Sequence, residues 1–254
     1  RQHVFGEIDG EKGAWGHALG GMGSITQIMR TVCEEIGVDI STNASVKNII
    51  VEDNVAKGVI LDDGSKIMSN KVISNLNPKL LFSNLINHDD VDKEYLRKIL
   101  NYKCGSGTFR MNVALSELPN FNCLPGKEIA EHHKSGIIIA PTLTYMDEAF
   151  TDAKKHGWSK NPIVEMLIPS TVDQSLAPEG KHVASLFCQQ FAPKLPMNKS
   201  WHDEKINAAE TIIDTVNKYA PNFKKSIIGS SILSPLDLEE KLGLLGGDIM
   251  HGVM

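Results

Sequence analysis

The chain has 254 residues, 41% of them hydrophobic, and a net charge of −5 at pH 7, enough for one large domain or two modest ones with a core. Its Lys and Arg residues form no dense block, which argues against a nucleic-acid partner, because neutralising phosphates takes clustered cations. No apolar run reaches the roughly eighteen residues of a membrane-spanning helix. Cys33, Cys104, Cys123 and Cys188 lie far apart with no C-x-x-C pair, so they read as buried free thiols in a reducing compartment, not as a zinc site or redox pair. The expected location is cytoplasmic, or the mitochondrial matrix for a eukaryotic source. The chain starts at Arg1 with no signal sequence, and it reads as a piece of a longer protein.

In chain order, Gly20-Gly21-Met22-Gly23-Ser24 opens a helix in which Ile25, Ile28, Met29, Val32, Cys33 and Ile36 recur at steps of three and four, giving one apolar face. Ser24 and Gln27 have capping-box spacing, and Gly37 supplies a left-handed stop. Val38 to Ile40, Ser45 to Glu52, Val55 to Leu61, Ser65 to Met68 and Lys71 to Ser74 are rich in Val and Ile, with turns at Asp53-Asn54 and Asp62-Asp63-Gly64; they predict a β-meander.

Asn77-Pro78 predicts a helix start carrying Leu80, Leu81, Phe82, Leu85 and Ile86. Asp92 to Leu100 is a second short helix. Strands are expected at Thr108 to Leu115, Ile137 to Ile139, Pro162 to Ile168, Lys181 to Phe191 and Ser226 to Leu233. Pro119 to Ser135 carries little pattern. Helices are expected at Tyr145 to His156 and at Trp201 to Tyr219, the latter with Ile206, Ala209, Ile212, Ile213 and Val216 inward. Another starts at Ser234-Pro235.

Several stretches carry a resemblance: Gly13-Ala14-Trp15-Gly16, the Gly20 to Gly23 cluster with its helix, Ser45 to Ile49, Gly58 to Gly64, Tyr219 to Lys224, and Pro235 to His251. In this order and spacing they resemble the phytoene-desaturase-like FAD-dependent oxidoreductases over nearly the whole chain. That family opens with a strand, G-x-G-x-x-G and a helix receiving the FAD pyrophosphate. Gly21-Met22-Gly23 comes nearest to it here, with Thr26 in place of the third glycine. The family's later glycine-rich flavin motif is also not found. The resemblance therefore implies FAD in an intact parent and none retained by this chain.

It further implies an α/β (mixed α+β) fold: the remainder of an FAD-binding dinucleotide domain with its β-meander, plus a mixed-sheet substrate domain with helices. Residues 1–76 would be the partial FAD-binding domain, 77–233 the substrate-binding domain, and 234–254 a return segment toward the flavin. Val46 matches a family valine at the adenine, and Gly20, Gly21 and Gly23 lie where the family's chain passes the flavin. Ser24, Ile25 and His251 would border the substrate cavity. No catalytic acid or base is evident.

The expected reaction of the intact parent is dehydrogenation of an apolar, polyene-type small molecule by hydride transfer to flavin, the chain alone being inactive. The alternatives are a flavin-dependent isomerase and a non-catalytic scaffold. Phe82, Leu85, Phe109, Met111, Met146, Phe150, Met166, Phe187 and Phe191 are candidates for a hydrocarbon channel and equally for core. His132 and His133 beside Glu131 have metal-ligand chemistry, but adjacent side chains are expected to diverge, so no metal is assigned. Truncation is expected to expose apolar surface between Gly20 and Asn75, leading to self-association or disorder of Arg1 to Leu19.

Overall fold

The computed structural model describes residues 6–13, 16–105 and 107–252. Residues 1–5, together with Ala14 and Trp15 of the first motif, lie outside the described residues, and so does that part of the expectation for Arg1 to Leu19. Strands β1 (Glu7–Ile8) and β2 (Glu11–Lys12), which no sequence pattern predicts, pair antiparallel.

Helix α1 (Gly23–Glu35) ends as its sequence predicts. Gly37 has φ +86°, the Val38 N–H donates to Cys33 O at 2.9 Å, and the Gly37 N–H donates to Glu34 O at 3.1 Å, the paired bonds of a Schellman stop. Its start differs from expectation. Met22 is the N-cap and no side chain accepts a hydrogen bond there. Ser24 already sits inside the helix, so its hydroxyl turns back to donate to Gly21 O at 2.7 Å. No residue of α1 is buried; Ile28, Met29 and Ile36 on its apolar side are 60–74% exposed.

The meander comprises β3 (Val46–Glu52), β4 (Val55–Leu61) and β5 (Lys66–Met68), antiparallel in that order. Asp53 and Asn54 take φ +51° and +61°, the left-handed pair of a tight hairpin turn. The strands expected at Val38 to Ile40 and Lys71 to Ser74 do not form. Neither stretch pairs with a strand of the meander, and β-propensity without a partner does not make a strand.

Two short helices follow. Asn77 Oδ1 caps α2 (Pro78–Leu80) by accepting from the Lys79 N–H at 2.9 Å, and Asp92 caps α3 (Lys93–Leu100) by accepting from the Tyr95 N–H at 2.8 Å. The main sheet is built from β6 (Phe109–Leu115), β7 (Ile137–Ile139), β8 (Trp158–Leu167), β9 (His182–Phe191) and β10 (Ile227–Leu233). Its order is β10-β6-β9-β8-β7 and every described pairing is antiparallel. With helices α4 (Glu131–Lys134), α5 (Leu143–His156), α6 (Trp201–Tyr219), α7 (Phe223–Ser226) and α8 (Pro235–Leu242) around it, the fold is mixed α/β, as expected.

Alternation gives this sheet two different faces. Phe109, Met111 and Val113 face the same way as Leu186, Cys188, Val164 and Met166, all within 1% of complete burial. They join Ala208, Ala209, Ile212 and Val216 of α6 in one core, where each large side chain contributes about 1.5–3 kcal/mol by leaving water. Ile206, expected inward, is 56% exposed, because the buried stripe of α6 runs through Ala208 and Ile212 instead. Of the four thiols only Cys188 is buried, and Cys123 is exposed, contrary to the uniform burial expected. Burial pushes the Cys188 thiol far above its ordinary value, so it stays protonated and unreactive.

Candidate functional site

The other face of the main sheet carries polar chemistry. Arg110, Phe187 and Glu165 sit directly across from one another on β6, β9 and β8. Arg110 Nη2 donates to Ser185 Oγ at 3.0 Å, and the guanidinium lies 5.4 Å from the Phe187 ring centre, within cation–π reach. Gln189 Nε2 donates to Glu165 Oε1 at 3.0 Å.

At the end of this face, where β6 begins and β9 finishes, lies a cavity of about 280 Å³. Phe187, Gln189, Gln190 and Phe191 form its floor, Phe150 and Lys154 of α5 one wall, and Ile249 and Met250 another. The last pair is brought there by local structure. Helix α8 starts at a capping box, with Ser234 Oγ 2.7 Å from Asp237 Oδ2. Gly247 (φ +63°) passes so close to Pro235 that an added Cβ would lie 2.6 Å from Pro235 Cα. Asp248, 1% exposed, then accepts from the Gly105 N–H and the Met250 N–H, both at 2.9 Å, and forms a β-bridge with Gly107. This buried carboxylate pins the Ile249–Met250 segment to the cavity.

A second buried carboxylate holds the glycine cluster. The Gly20 N–H donates to Asp173 Oδ2 at 2.7 Å, and Asp173, 4% exposed, belongs to the loop joining β8 to β9. Oδ1 accepts from Ser175 Oγ at 2.6 Å and the Ser175 N–H at 3.0 Å, and His17 Nε2 is 3.8 Å from Oδ2. The Ser175 hydroxyl bond, with the Gly20 and Ser175 N–H groups and His17, holds the Asp173 carboxyl below its ordinary value despite its burial. Gly20 and Gly21 have φ +81° and +88°, whereas Gly23 is helical and a Cβ there would meet nothing within 4 Å.

The structure therefore separates the sequence-predicted residues. Gly20 and Gly21 are fixed to the β8–β9 loop, Ser24 lies inside α1, Ile25 is 42% exposed, and Val46 begins β3. None of these lines the cavity. His251, exposed at φ +61°, follows the cavity-lining pair and accepts from Asn77 Nδ2 through its carbonyl at 3.5 Å. Of the candidate channel residues, Phe150 and Phe187 reach the cavity; Phe191 also borders it but is buried with Met111 and Met166 in the α6 core, against Phe109 and Trp201, and Phe82 meets Tyr95 edge to face. Asp173 and Asp248 have no sequence signature as clamps, since an acidic residue in an aperiodic loop looks the same whether buried or solvated.

The two adjacent histidines do not diverge as expected; their ring centres are 3.9 Å apart. His133 nonetheless spends both nitrogens on backbone, Nδ1 accepting from the Ala130 N–H and Nε2 donating to Pro119 O. Among the described residues no group of three or more His, Cys, Asp or Glu side chains could hold a metal.

For a flavin nucleotide the chain offers two compatible features. Space is open in front of Gly23, and β3, which begins at Val46, is an edge strand among the described residues, where backbone N–H and C=O groups can meet a flat base. The Gly20 N–H is not available to a diphosphate, because the Asp173 carboxylate already occupies it.

No protein-family model matches the chain. It is 35% identical over 258 residues to pyridine nucleotide-disulfide oxidoreductase domain-containing protein 2 of Rattus norvegicus, a match covering 99% of this chain and 44% of that protein. It is 24% identical to the chloroplastic prolycopene isomerase of Daucus carota (89% of this chain, 34% of that one). To the lycopene-forming phytoene desaturase of Pseudescherichia vulneris it is also 24% identical (92% and 45%). The chain thus spans less than half the length of these relatives. Among solved structures, an oxidoreductase from Methanosarcina mazei shares the fold with a TM-score of 0.60 at 19% identity, over 85% of this chain and 43% of that one. The chain is a relative of the phytoene-desaturase-like FAD-dependent oxidoreductases, similar along its length to a span of pyridine nucleotide-disulfide oxidoreductase domain-containing protein 2.

Proposed function

We propose that this chain supplies the substrate-binding part, with the rear of the dinucleotide-binding part, of an FAD-dependent oxidoreductase that dehydrogenates an apolar, polyene-type small molecule. In this reading residues 1–76 flank the flavin nucleotide, 77–233 form the substrate domain, and 234–254 return toward the flavin. The observation that carries the reading is the cavity between Phe150, Phe187 and Phe191 on one side and Ile249 and Met250 on the other, in a chain related to phytoene desaturases along nearly its whole length.

When bound, FAD would supply the hydride acceptor. The chain's own residues do the rest. The aromatic and aliphatic cavity walls take substrate carbon out of water, at about 0.8 kcal/mol per CH₂. Asp248 holds the Ile249–Met250 cover in place and so keeps water out. Asp173 holds the Gly20–Gly21 loop, so that Gly23 and the adjoining Ser24 and Ile25 present a close, small surface to the ring. Val46 would meet the adenine through its backbone, and His251 borders the cover. No side chain is assigned a proton-transfer role.

The test is anaerobic mixing of the flavin-loaded, parent-length protein with polyene substrates. Bleaching of the visible flavin band together with formation of a more unsaturated product is expected. Product without net flavin reduction would favour an isomerase, the second reading, which the similarity to a prolycopene isomerase supports. Neither product nor bleaching would leave a non-catalytic scaffold.

A further inference from the structure

We propose that the site takes an apolar molecule ending in a carboxylate, with Arg110 as the specificity-determining residue: the apolar end enters the cavity and the carboxylate meets the Arg110 guanidinium beside Phe187. The inference rests on reading this cavity as the substrate site and adds an anionic end to the apolar substrate.

At about 280 Å³ the cavity lies just under the usual range of small-molecule sites, roughly 300–1,000 Å³, so it encloses one end of a long molecule and leaves the other on the open face of the sheet. Phe187 belongs to both places. It lines the cavity, and directly across from it on β6 stands Arg110, whose guanidinium lies 5.4 Å from the ring centre. Arg110 is a half-buried cation. Its one side-chain hydrogen bond among the described residues goes to Ser185 Oγ, which leaves most of its five N–H donors unspent. It takes part in none of the ion pairs among the described residues. Leu233, its cross-strand neighbour on β10, cannot neutralise it. Glu165 stands on the far side of Phe187, on β8, and accepts from Gln189 Nε2. Desolvation pulls the Arg110 pKa below its ordinary value, so burial works against the charge and an anion would restore it. The other cation–π pair among the described residues lies at the same cavity: Lys154 Nζ is 3.9 Å from the Phe150 ring centre, both residues line the cavity, and Lys154 too is in none of those ion pairs. It adds positive charge to the cavity wall.

The chemistry of the guanidinium selects the ligand. Its planar fork gives a carboxylate two parallel charge-assisted N–H···O bonds. A hydroxyl accepts fewer and brings no charge, an amine is repelled, and a hydrocarbon leaves the half-buried cation unpaired. A phosphate meets the same fork but brings a second negative charge onto the row that already holds Glu165. Phe150, Phe187, Ile249 and Met250 accommodate the apolar remainder.

The experiment needs no flavin. Octanoate, methyl octanoate, 1-octanol, octylamine and octyl phosphate are titrated into the 254-residue chain and binding is measured by isothermal titration calorimetry. The expected result is that octanoate binds about tenfold more tightly than methyl octanoate or octanol, as charge-assisted bonds to a guanidinium allow. Arg110→Met should remove that preference by weakening octanoate alone, and Arg110→Lys should restore part of it. Lys155→Met, at an exposed residue outside the cavity lining, should keep the preference. The comparison of octanoate with its methyl ester needs no substitution, so it tests the charge requirement even if Arg110→Met disturbs folding. Octanoate no tighter than its ester, tighter binding of octylamine or octyl phosphate, no binding of any, a preference unchanged in Arg110→Met, or one lost in Lys155→Met would each overturn the proposal. Octanoate preference in a protein whose parent-length form shows neither flavin reduction nor product would retain this inference and remove the oxidoreductase reading. The opposite pair of results would do the reverse.

Discussion

Asp173 joins the glycine cluster to the β8–β9 loop through a single 2.7 Å bond to the Gly20 N–H. Replacing it with alanine removes the acceptor and the Ser175 anchor together, so exchange of the Gly20 and Gly21 amides with solvent deuterium should accelerate at least tenfold, with the main sheet unaffected. Unchanged exchange would show that the loop is held by something else. Gly23 makes the contrasting case. Its Cβ position is open, so nothing within the described residues requires glycine there. Gly23→Ala should leave the melting of this chain unchanged, and should lower flavin binding or reduction in the parent-length protein if the open space is where the ring lies.

Among the elements, α8 carries the acid sensitivity. Burial pushes the Asp237 carboxyl upward, but hydrogen bonds from the Ser234 hydroxyl and N–H, and from Lys241 and Lys205, outweigh it and hold the group well below its ordinary value. A carboxyl whose folded value lies below its unfolded one contributes stability that is fully present above about pH 4 and is lost as pH falls further. Asp237→Asn should therefore reduce stability at pH 7, and flatten its decline between about pH 4 and 2, in denaturant melts. Ser234→Ala should cost about 0.5–2 kcal/mol by removing the cap. An acid profile identical to that of the unsubstituted chain would refute the assignment.

These elements were also the most legible part of the sequence. Ser234-Pro235, Asn77-Pro78 and Gly37 mark helix ends through local geometry alone, and Trp201 to Tyr219 is observed with the predicted ends. The failures were just as physical. Val38 to Ile40 has the composition of a strand but pairs with no other strand, and the Ser24 hydroxyl lies two residues too far into α1 to cap it.

For the molecule as a whole, the unburied apolar side of α1 is the dominant surface feature. Ile28, Met29 and Ile36, with Leu19 and Met22 ahead of them, present a contiguous apolar strip to solvent, of the kind that seeks a partner. The chain is expected to self-associate as its concentration rises, by light-scattering mass, and Ile28→Glu with Met29→Lys should return it to monomer without lowering its melting temperature. A strictly monomeric species of the unsubstituted 254-residue chain at high concentration would contradict this. The same preparation should be colourless, because the Gly20 N–H is occupied and Val46 alone offers too little to retain FAD. A flavin band near one-to-one stoichiometry would overturn that expectation.

By itself the sequence determined what local chemistry determines: the helix and strand periods, the turn glycines, the caps, and the family resemblance carried by motifs in order. Only the tertiary structure decided which aromatic residues face a cavity and which face α6, because alternation along β6 and β9 defines two faces without saying which one a helix covers. It alone revealed Asp173 and Asp248 as clamps. Those are relations between residues far apart in the chain, and no local period encodes them.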